Sequence, residues 1–350
     1  MNKQLPTVLA IDTSCDETAA AVTHGTEVLS NIIWSQAAAH ADFGGVMPSL
    51  AQRLHRERID WVIERAVKLG GVKIDMVAVT KGPGLAIALE VGIAKAKGVA
   101  NKLGVPLVPI NHVEAHLLSP LATPKLKEKG LKSNSSPQIQ YPALGLVVSG
   151  GHTELFLIEK IGKYQVLAKT QDDALGEALD KAARMLGLGY PGGAILEKMA
   201  EKGDPSKFKL PLPMAGREDL RLFSYSGLKT AFYRLIEEQK DLDKQTIYDL
   251  AACFQRRAFE HLIRVIRKTI NEVPFDSILV GGGVVANKSL RKILRRSFKK
   301  VWFPYSPKLI GDNAAMIGVA AGLKLGGGLL IADLKPEEVD RKPRWSVEDL

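Results

Sequence analysis

Two cysteines, Cys15 and Cys253, are all the thiols in 350 residues, and they stand far apart without CxxC spacing. That excludes a disulfide framework and a cysteine-rich zinc site, and it points to a reducing compartment. Long apolar runs are missing too, since no window reaches the roughly 18 uninterrupted apolar residues a membrane span needs. The opening MNKQLPTVLAIDTS runs almost directly into a strand-like segment, without the charged, apolar and small-residue succession of a secretion signal. The expected location is the cytoplasm, with no membrane contact. Acidic residues are in deficit, 38 Asp+Glu against 48 Lys+Arg, a formal charge of +10. Such an excess favours an anionic partner, nucleic acid or nucleotide, but speaks to association rather than to fold. With 46% hydrophobic and 25% charged residues the chain is globular, and its length predicts two domains.

Thr7 to Val22 reads as an apolar run, a turn of small residues and carboxylates, and a second apolar run, the pattern of a strand, tight turn and returning strand. Val147 to Ile158 repeats that layout around Ser149, Gly150, Gly151, His152 and Thr153, which suggests an internal duplication. Helical spacing over 50–69, 92–103, 174–186, 247–272, 286–298 and 314–323 alternates with short apolar strands at 75–80, 107–110, 277–280 and 301–303. This alternation predicts an α/β architecture. Pro120, Pro124, the lysines from Lys125 to Lys132 and the Ser-Asn-Ser-Ser run before Pro137 read as a linker or exposed loop. The expected division is therefore 1–120 completed by 301–350, a linker or insertion over 121–140, and a second unit over 141–300.

His112 and His116 are four residues apart, on one helix face and able to reach one cation, although a bare HxxxH pair is as often two surface or capped histidines. Asp312, in a Gly-Asp-Asn turn at a helix start, is a candidate third ligand, with the N-cap as its other reading. Glu114 does not follow the first histidine directly, as the base of an HExxH peptidase must, so it points away from a metal held by the pair. Ser149-Gly150-Gly151 and Gly281-Gly282-Gly283 each follow a strand, and their backbone N–H groups can approach a phosphate or ribose without Cβ obstruction. Neither matches a P-loop or a GxGxxG dinucleotide motif, and one such turn alone is more often merely tight. Glu177 and Asp180 share a helix face that looks either toward a cleft or out to solvent beside Lys181 and Arg184; the residues alone favour the solvated salt-bridge face. Asn287 either caps its helix or bonds a ribose. Two basic stripes stand out: Arg256, Arg257, Arg264, Arg267 and Lys268, and Lys288, Arg291, Lys292, Arg295, Arg296, Lys299 and Lys300. Both suit an amphipathic helix, and both can contact a phosphate backbone; neither shows the repeated aromatic interleaving typical of single-strand binders.

In order along the chain, AIDTSCDET (from Ala10), GGVMPSLAQRLH (Gly44), GPGL (Gly82), NHVEAH (Asn111), LVVSGGHTEL (Leu146), GEALDKAARMLGLGYPGG (Gly176), FSYSGLKTA (Phe223), GGGVVAN (Gly281) and GDNAAMIG (Gly311) resemble the tRNA N6-adenosine threonylcarbamoyltransferases, the TsaD family once described as O-sialoglycoprotein endopeptidases. The SCDET turn is similar to bacterial members. The resemblance implies a duplicated actin/sugar-kinase/Hsp70 (ASKHA) fold with a nucleotide cleft between its halves. It implies one divalent metal, Fe2+ or Zn2+, on His112, His116 and Asp312, and a threonylcarbamoyl-AMP or ATP-type nucleotide held by Val147, Val148, Ser149, Gly150, Gly151, Asp180, Gly193 and Asn287. It thereby moves Glu177 and Asp180 from the surface into the cleft. The implied reaction carries the threonylcarbamoyl group to the exocyclic amine of adenosine 37 in tRNAs reading codons that start with adenine. Implied partners are tRNA, an inactive paralogue of the same fold (TsaB-like), a small ATPase (TsaE-like) and a separate synthase that supplies the adenylate. A small-molecule kinase of the same superfold and a non-catalytic scaffold paralogue are the alternatives. Two departures stand out: Leu212 replaces the arginine of the usual Pro-Arg-Pro-Met, and 121–137 is about a dozen residues longer than usual, a surface insertion.

Overall fold

A computed structural model of the chain describes residues 5–125, 137–217, 220–271, 273–329 and 335–350. Most of the lysine-rich stretch falls at 126–136, outside the described residues. The first six strands are β1 (Thr7–Asp12), β2 (Glu17–His24), β3 (Glu27–Ser35), β4 (Met76–Gly82), β5 (Leu107–Asn111) and β6 (Thr123–Pro124), and they form one sheet in the order β5-β4-β1-β2-β3-β6. The next six are β7 (Ala143–Val148), β8 (Thr153–Lys160), β9 (Lys163–Thr170), β10 (Leu222–Phe223), β11 (Ile278–Gly281) and β12 (Val301–Trp302), ordered β10-β9-β8-β7-β11-β12. The sheets repeat one plan: two antiparallel hairpin pairings, two parallel strands on the other side of the first strand, and a short parallel strand on the far edge. The duplication expected from the two hairpins is thus a property of whole sheets. Thr123–Pro124 extends the first sheet and Val301–Trp302 the second, so the chain passes between the halves outside those two strands.

The helices are α1 (Ala37–His40), α2 (Pro48–Gly70), α3 (Ala86–Leu103), α4 (His112–Leu118), α5 (Leu175–Met185), α6 (Gly192–Ala200), α7 (Ser226–Glu237), α8 (Lys244–Ile270), α9 (Lys288–Ser297) and α10 (Ala314–Gly326). Central strands carry continuous apolar runs because both sheet faces are covered. In β1, Leu9 and Ile11 face a core shared with α2 and α3, whereas Val8 and Ala10 face α4 and α10. In β7, Ala143 and Val147 look toward that same α4/α10 layer, while Leu144, Leu146 and Val148 enter the core of the second half. The short, fully buried α4 and the small-residue helix α10 are therefore sandwiched between the two sheets. Small residues are required there: a Cβ on Gly318 would lie 2.5 Å from Thr23 Oγ1.

The chain's last stretch returns over the first half, where Lys342 N donates to Lys81 O, Gly84 N to Pro343 O and Asn111 Nδ2 to Trp345 O. It also reaches the second half, since Val166 N donates to Glu348 Oε1 and Val347 is buried in the central core. Among the described residues, no helix is long and apolar enough to cross a membrane.

Candidate active site

β5 runs without a loop into α4, and Asn111 makes the junction: its Oδ1 accepts from Val113 N at 2.9 Å and Glu114 N at 3.1 Å. Two orphan N–H groups of the helix start are thereby satisfied, and the helix begins with His112 at a strand's carboxyl end. His112 and His116 lie one turn apart with ring centroids 4.6 Å apart in a T-shaped arrangement. Both present Nε2 to Asp312 Oδ1, at 3.4 Å from His112 and 3.1 Å from His116. Asp312 is free for this because the neighbouring Asn313 caps α10, accepting from Met316 N at 3.1 Å. The N-cap reading of Asp312 is thereby corrected.

The three ligand atoms lie within 4.8 Å of one another, a group able to hold a metal ion. A metal bound at about 2.0–2.1 Å by tetrahedral nitrogen and oxygen donors sets a ligand–ligand edge of roughly 3.3 Å. The imidazole–carboxylate distances match that edge, and two neutral-capable imidazoles plus a carboxylate suit zinc or iron. The donor set fits.

Electrostatics around the trio are strongly polarised. Burial opposes charge on His112, yet Asp312 and Asp12 push it up to about 9, with Asp12 Oδ2 3.7 Å from its Nδ1. Burial holds His116 below its usual range against the pull of Asp312. Asp312 is held well below the usual carboxylate range by the two imidazoles despite its burial. Ser14 Oγ, 3.2 Å from His112 Nδ1, fixes the ring from the β1–β2 turn. Sequence reading missed the roles of Asp12 and Ser14; the available signals were that both fall in the AIDTSCDET motif and that the β1–β2 turn matches the Ser149–Thr153 turn.

Glu114 faces the other way. Its carboxylate is fully buried, accepting from Tyr164 OH at 2.8 Å and pairing with Lys324 Nζ at 3.1 Å. No peptidase base is available on α4.

Above the trio lies a cleft of about 1170 Å³, walled by Ser14–Glu17, Gly44–Val46, Pro83–Leu85, Ser149–His152, Gly176, Glu177, Asp180, Gly193, Gly283, Asn287 and Asp312, among others. Ser149, Gly150, Gly151, Asp180, Gly193 and Asn287 of the expected nucleotide set line it; Val147 and Val148 are fully buried in β7 beneath the turn. Gly150 and Gly151 are exposed, and nothing stands within 4 Å of a Cβ placed on either, so the turn leaves space for a ligand to approach its backbone. Gly176 is different: its added Cβ would lie 2.6 Å from Ser149 O, so α5 packs its first turn directly on that loop. Asp180 Oδ1 accepts from Gly193 N at 2.6 Å, tying α5 to α6, and burial raises its carboxyl. Glu177 and Asp180 both line the cleft, although the pair between Glu177 and Lys181 at 2.8 Å also exists. The purely solvated reading of that face is corrected. Asn287 caps α9 through Leu290 N at 2.9 Å and donates to Gln255 Oε1 at 2.8 Å, which leaves one amide hydrogen and one lone pair of Oδ1 for a ligand. The cap reading holds, and a ribose would meet only the remaining hydrogen and lone pair.

This is the duplicated ASKHA architecture, carrying an imidazole–carboxylate cluster at the floor of its interdomain cleft. Solved structures agree on the fold: HypF of T. kodakarensis superposes at a TM-score of 0.55 with 17% identity, over 93% of this chain and 48% of that one. The (R)-2-hydroxyglutaryl-CoA dehydratase component A of Acidaminococcus fermentans gives 0.53 with 13% identity, over 92% and 99%. The sequence itself is more specific. A sequence model of the family "TsaD: tRNA N6-adenosine threonylcarbamoyltransferase" matches residues 27–319. The tRNA N6-adenosine threonylcarbamoyltransferase of Syntrophotalea carbinolica is 42% identical over 97% of each chain, and that of Pelagibacter ubique 40% identical over 99% of this chain and 96% of its own. The chain belongs to the tRNA N6-adenosine threonylcarbamoyltransferase family, and it is a transferase that acts on tRNA adenosine.

Proposed function

We propose that the cleft transfers the threonylcarbamoyl group of threonylcarbamoyl-AMP to the exocyclic amine of adenosine 37 in tRNAs that read codons starting with adenine. The observation that carries the reading is the convergence of His112 Nε2, His116 Nε2 and Asp312 Oδ1 beside the open Ser149–Gly151 turn. His112, His116 and Asp312 hold one divalent cation, Fe2+ or Zn2+. When bound there it supplies Lewis-acid polarisation of the carbamoyl oxygen. The Gly150 and Gly151 N–H groups receive the phosphate, Asp180 and Asn287 orient the sugar, and Gly193 leaves room beside Asp180. The adenosine amine attacks the carbamoyl carbon, a new C–N bond forms, the bond from that carbon to the phosphate oxygen breaks, and AMP leaves while the amine loses a proton.

Cys15 lines the cleft, but burial and the nearby Asp16 raise its thiol well above its usual range, so it stays protonated and direct transfer is favoured over a thioester route. Ligand pockets of about 300–1,000 Å³ suit one small molecule, so the observed cleft accommodates an adenylate with an entering nucleoside. By family resemblance the tRNA is joined by an inactive paralogue and a small ATPase, with the adenylate supplied by a separate synthase. We read the two halves as 1–120 with 301–350 and as 141–300, with the boundaries moved so that the edge strand Thr123–Pro124 joins the first half and Val301–Trp302 the second, the cleft lying between them.

Purified chain with those partners, threonylcarbamoyl-AMP and unmodified tRNA should yield the modified nucleoside by mass spectrometry. His112→Ala should lose bound metal and fall by about 10²-fold or more in transfer. Full transfer by a metal-free His112→Ala protein would refute the site.

A further inference from the structure

The two basic stripes of the sequence have different fates in the fold. On α8, Arg257 Nε donates to Leu210 O at 2.8 Å and its Nη1 meets Glu260 at 2.6 Å, Arg256 lies 3.6 Å from Glu260, Arg264 bonds Pro213 O, and Arg267 Nη2 bonds Ser297 Oγ at 3.2 Å. Arg256 and Arg257 are thus paired within α8, and Arg257, Arg264 and Arg267 also bond neighbouring segments. On α9 the opposite holds. Lys288, Arg291, Lys292, Arg295 and Arg296 line a shallow hollow of about 520 Å³ to which no other described residue contributes. No acidic residue occurs from Lys288 to Lys300. Among the described residues the stripe's ion pairs are Lys288 with Glu201 at 3.9 Å and Lys300 with Asp276, both at its ends.

Such a cluster repels itself and is held in place at a cost. The guanidinium groups of Arg291 and Arg295 stack 4.7 and 5.1 Å from the centroid of the Phe303 ring, which fixes their orientation. Arg291 Nε is buried without a hydrogen-bond partner, and burial followed by repulsion from Arg295 lowers that side chain's pKa. Lys288 also sits at the helix start, where the backbone dipole disfavours a cation. These are donors pre-oriented for an anion that arrives from outside. The stripe begins where the cleft wall ends, because Ala286 and Asn287, immediately before α9, line the cleft.

We infer that the outer face of α9 is the surface on which the sugar-phosphate backbone of the tRNA anticodon arm lies while its adenosine enters the cleft. The inference rests on the transferase reading for the identity of the RNA. Arginine forks and lysines on a helix face contact phosphates without reading sequence, so the surface sets affinity and register and leaves base choice to the cleft.

The test compares the wild-type chain, with its reaction partners present, against Lys292→Glu/Arg296→Glu, two exposed positions without packing roles. The control is Lys160→Glu/Lys163→Glu, which makes the same charge change on the β8–β9 turn. Binding of unmodified tRNA is followed by fluorescence anisotropy across a NaCl series, and KM is measured separately for tRNA and for threonylcarbamoyl-AMP. The α9 variant should bind tRNA about tenfold or more weakly at moderate salt, with a shallower salt dependence. Its KM for tRNA should rise while that for the adenylate stays, and the control should match wild type. Unchanged tRNA binding by the α9 variant, or an equal loss in the control, overturns the inference. A wild-type chain that makes no modified nucleoside instead refutes the transferase reading, whereas selective loss of RNA binding in the α9 variant would still uphold the surface.

Discussion

Replacing Gly281 with alanine tests how the glycine turn and α4, which carries the proposed metal ligands His112 and His116, depend on each other. A Cβ at Gly281 would stand 2.7 Å from the carbonyl carbon of His116 and closer still to its oxygen. Ordinary carbon contacts are about 3.5–4.0 Å, so β11 or α4 must retreat by roughly 1 Å. Neither is free to do so, since α4 is buried along its whole length between the sheets. Overpacking of this kind costs about 1–3 kcal/mol, and a 1 Å displacement of a reacting constellation costs on the order of 10²-fold in rate. Gly281→Ala should therefore melt several degrees lower, bind its divalent metal more weakly in a dialysis titration and transfer about 10²-fold more slowly. Gly283→Ala is the companion, because nothing lies within 4 Å of its added Cβ. That variant should keep its melting temperature and metal stoichiometry. Wild-type metal affinity in Gly281→Ala, or equal damage from the two substitutions, would refute the reasoning.

Two further outcomes follow from buried charge. Lys324→Met strands the Glu114 carboxylate, which is fully buried, so stability should drop by about 3–5 kcal/mol in a denaturant titration, with Glu114→Gln/Lys324→Met regaining part of it; an unchanged midpoint in the single variant would contradict the pair's importance. His261 is buried, accepts from Ser224 N at 3.1 Å, and is lowered to about 4, first by burial and then by Arg264. Its folded pKa lies below the unfolded value near 6.5, so the unfolded chain takes up the proton first. The associated stability, up to roughly 3 kcal/mol, is complete above pH 6.5 and is lost as pH falls toward 4. His261→Asn should flatten the pH dependence of stability in that window, and parallel curves for the two proteins would exclude the assignment.

Much of the site was legible because its signals are local. The strand–turn–strand of Thr7 to Val22 and its copy at Val147 to Ile158 are period-2 patterns broken by small residues, and both turns line the cleft. The HxxxH pair encodes its own convergence, because four residues on a helix return to one face. Other features were ambiguous for an equally physical reason. Asp312 and Asn313 are both good N-caps, and the choice depends on which one α4 draws toward itself. Glu177 and Asp180 carry the composition of a solvated face, and only the position of α5 against the Ser149 turn exposes them to the cleft.

By itself, the sequence determined the element order, the duplicated hairpins, the donors His112, His116 and Asp312 as chemistry, and the family, since each rests on spacing within a turn or on ordered motifs. Tertiary structure alone decided that His116 and Asp312, 196 residues apart, meet; that Asp12 and Ser14 brace His112; that Gly281 rather than Gly283 is sterically required; and that, among the described residues, the α9 cations from Arg291 to Arg296 have no carboxylate partner while the α8 arginines are bonded or paired. The physical reason is the stacking of α4 and α10 between two covered sheets. Local pattern sets which face of an element is apolar, but only close packing fixes which elements touch, and at what distance.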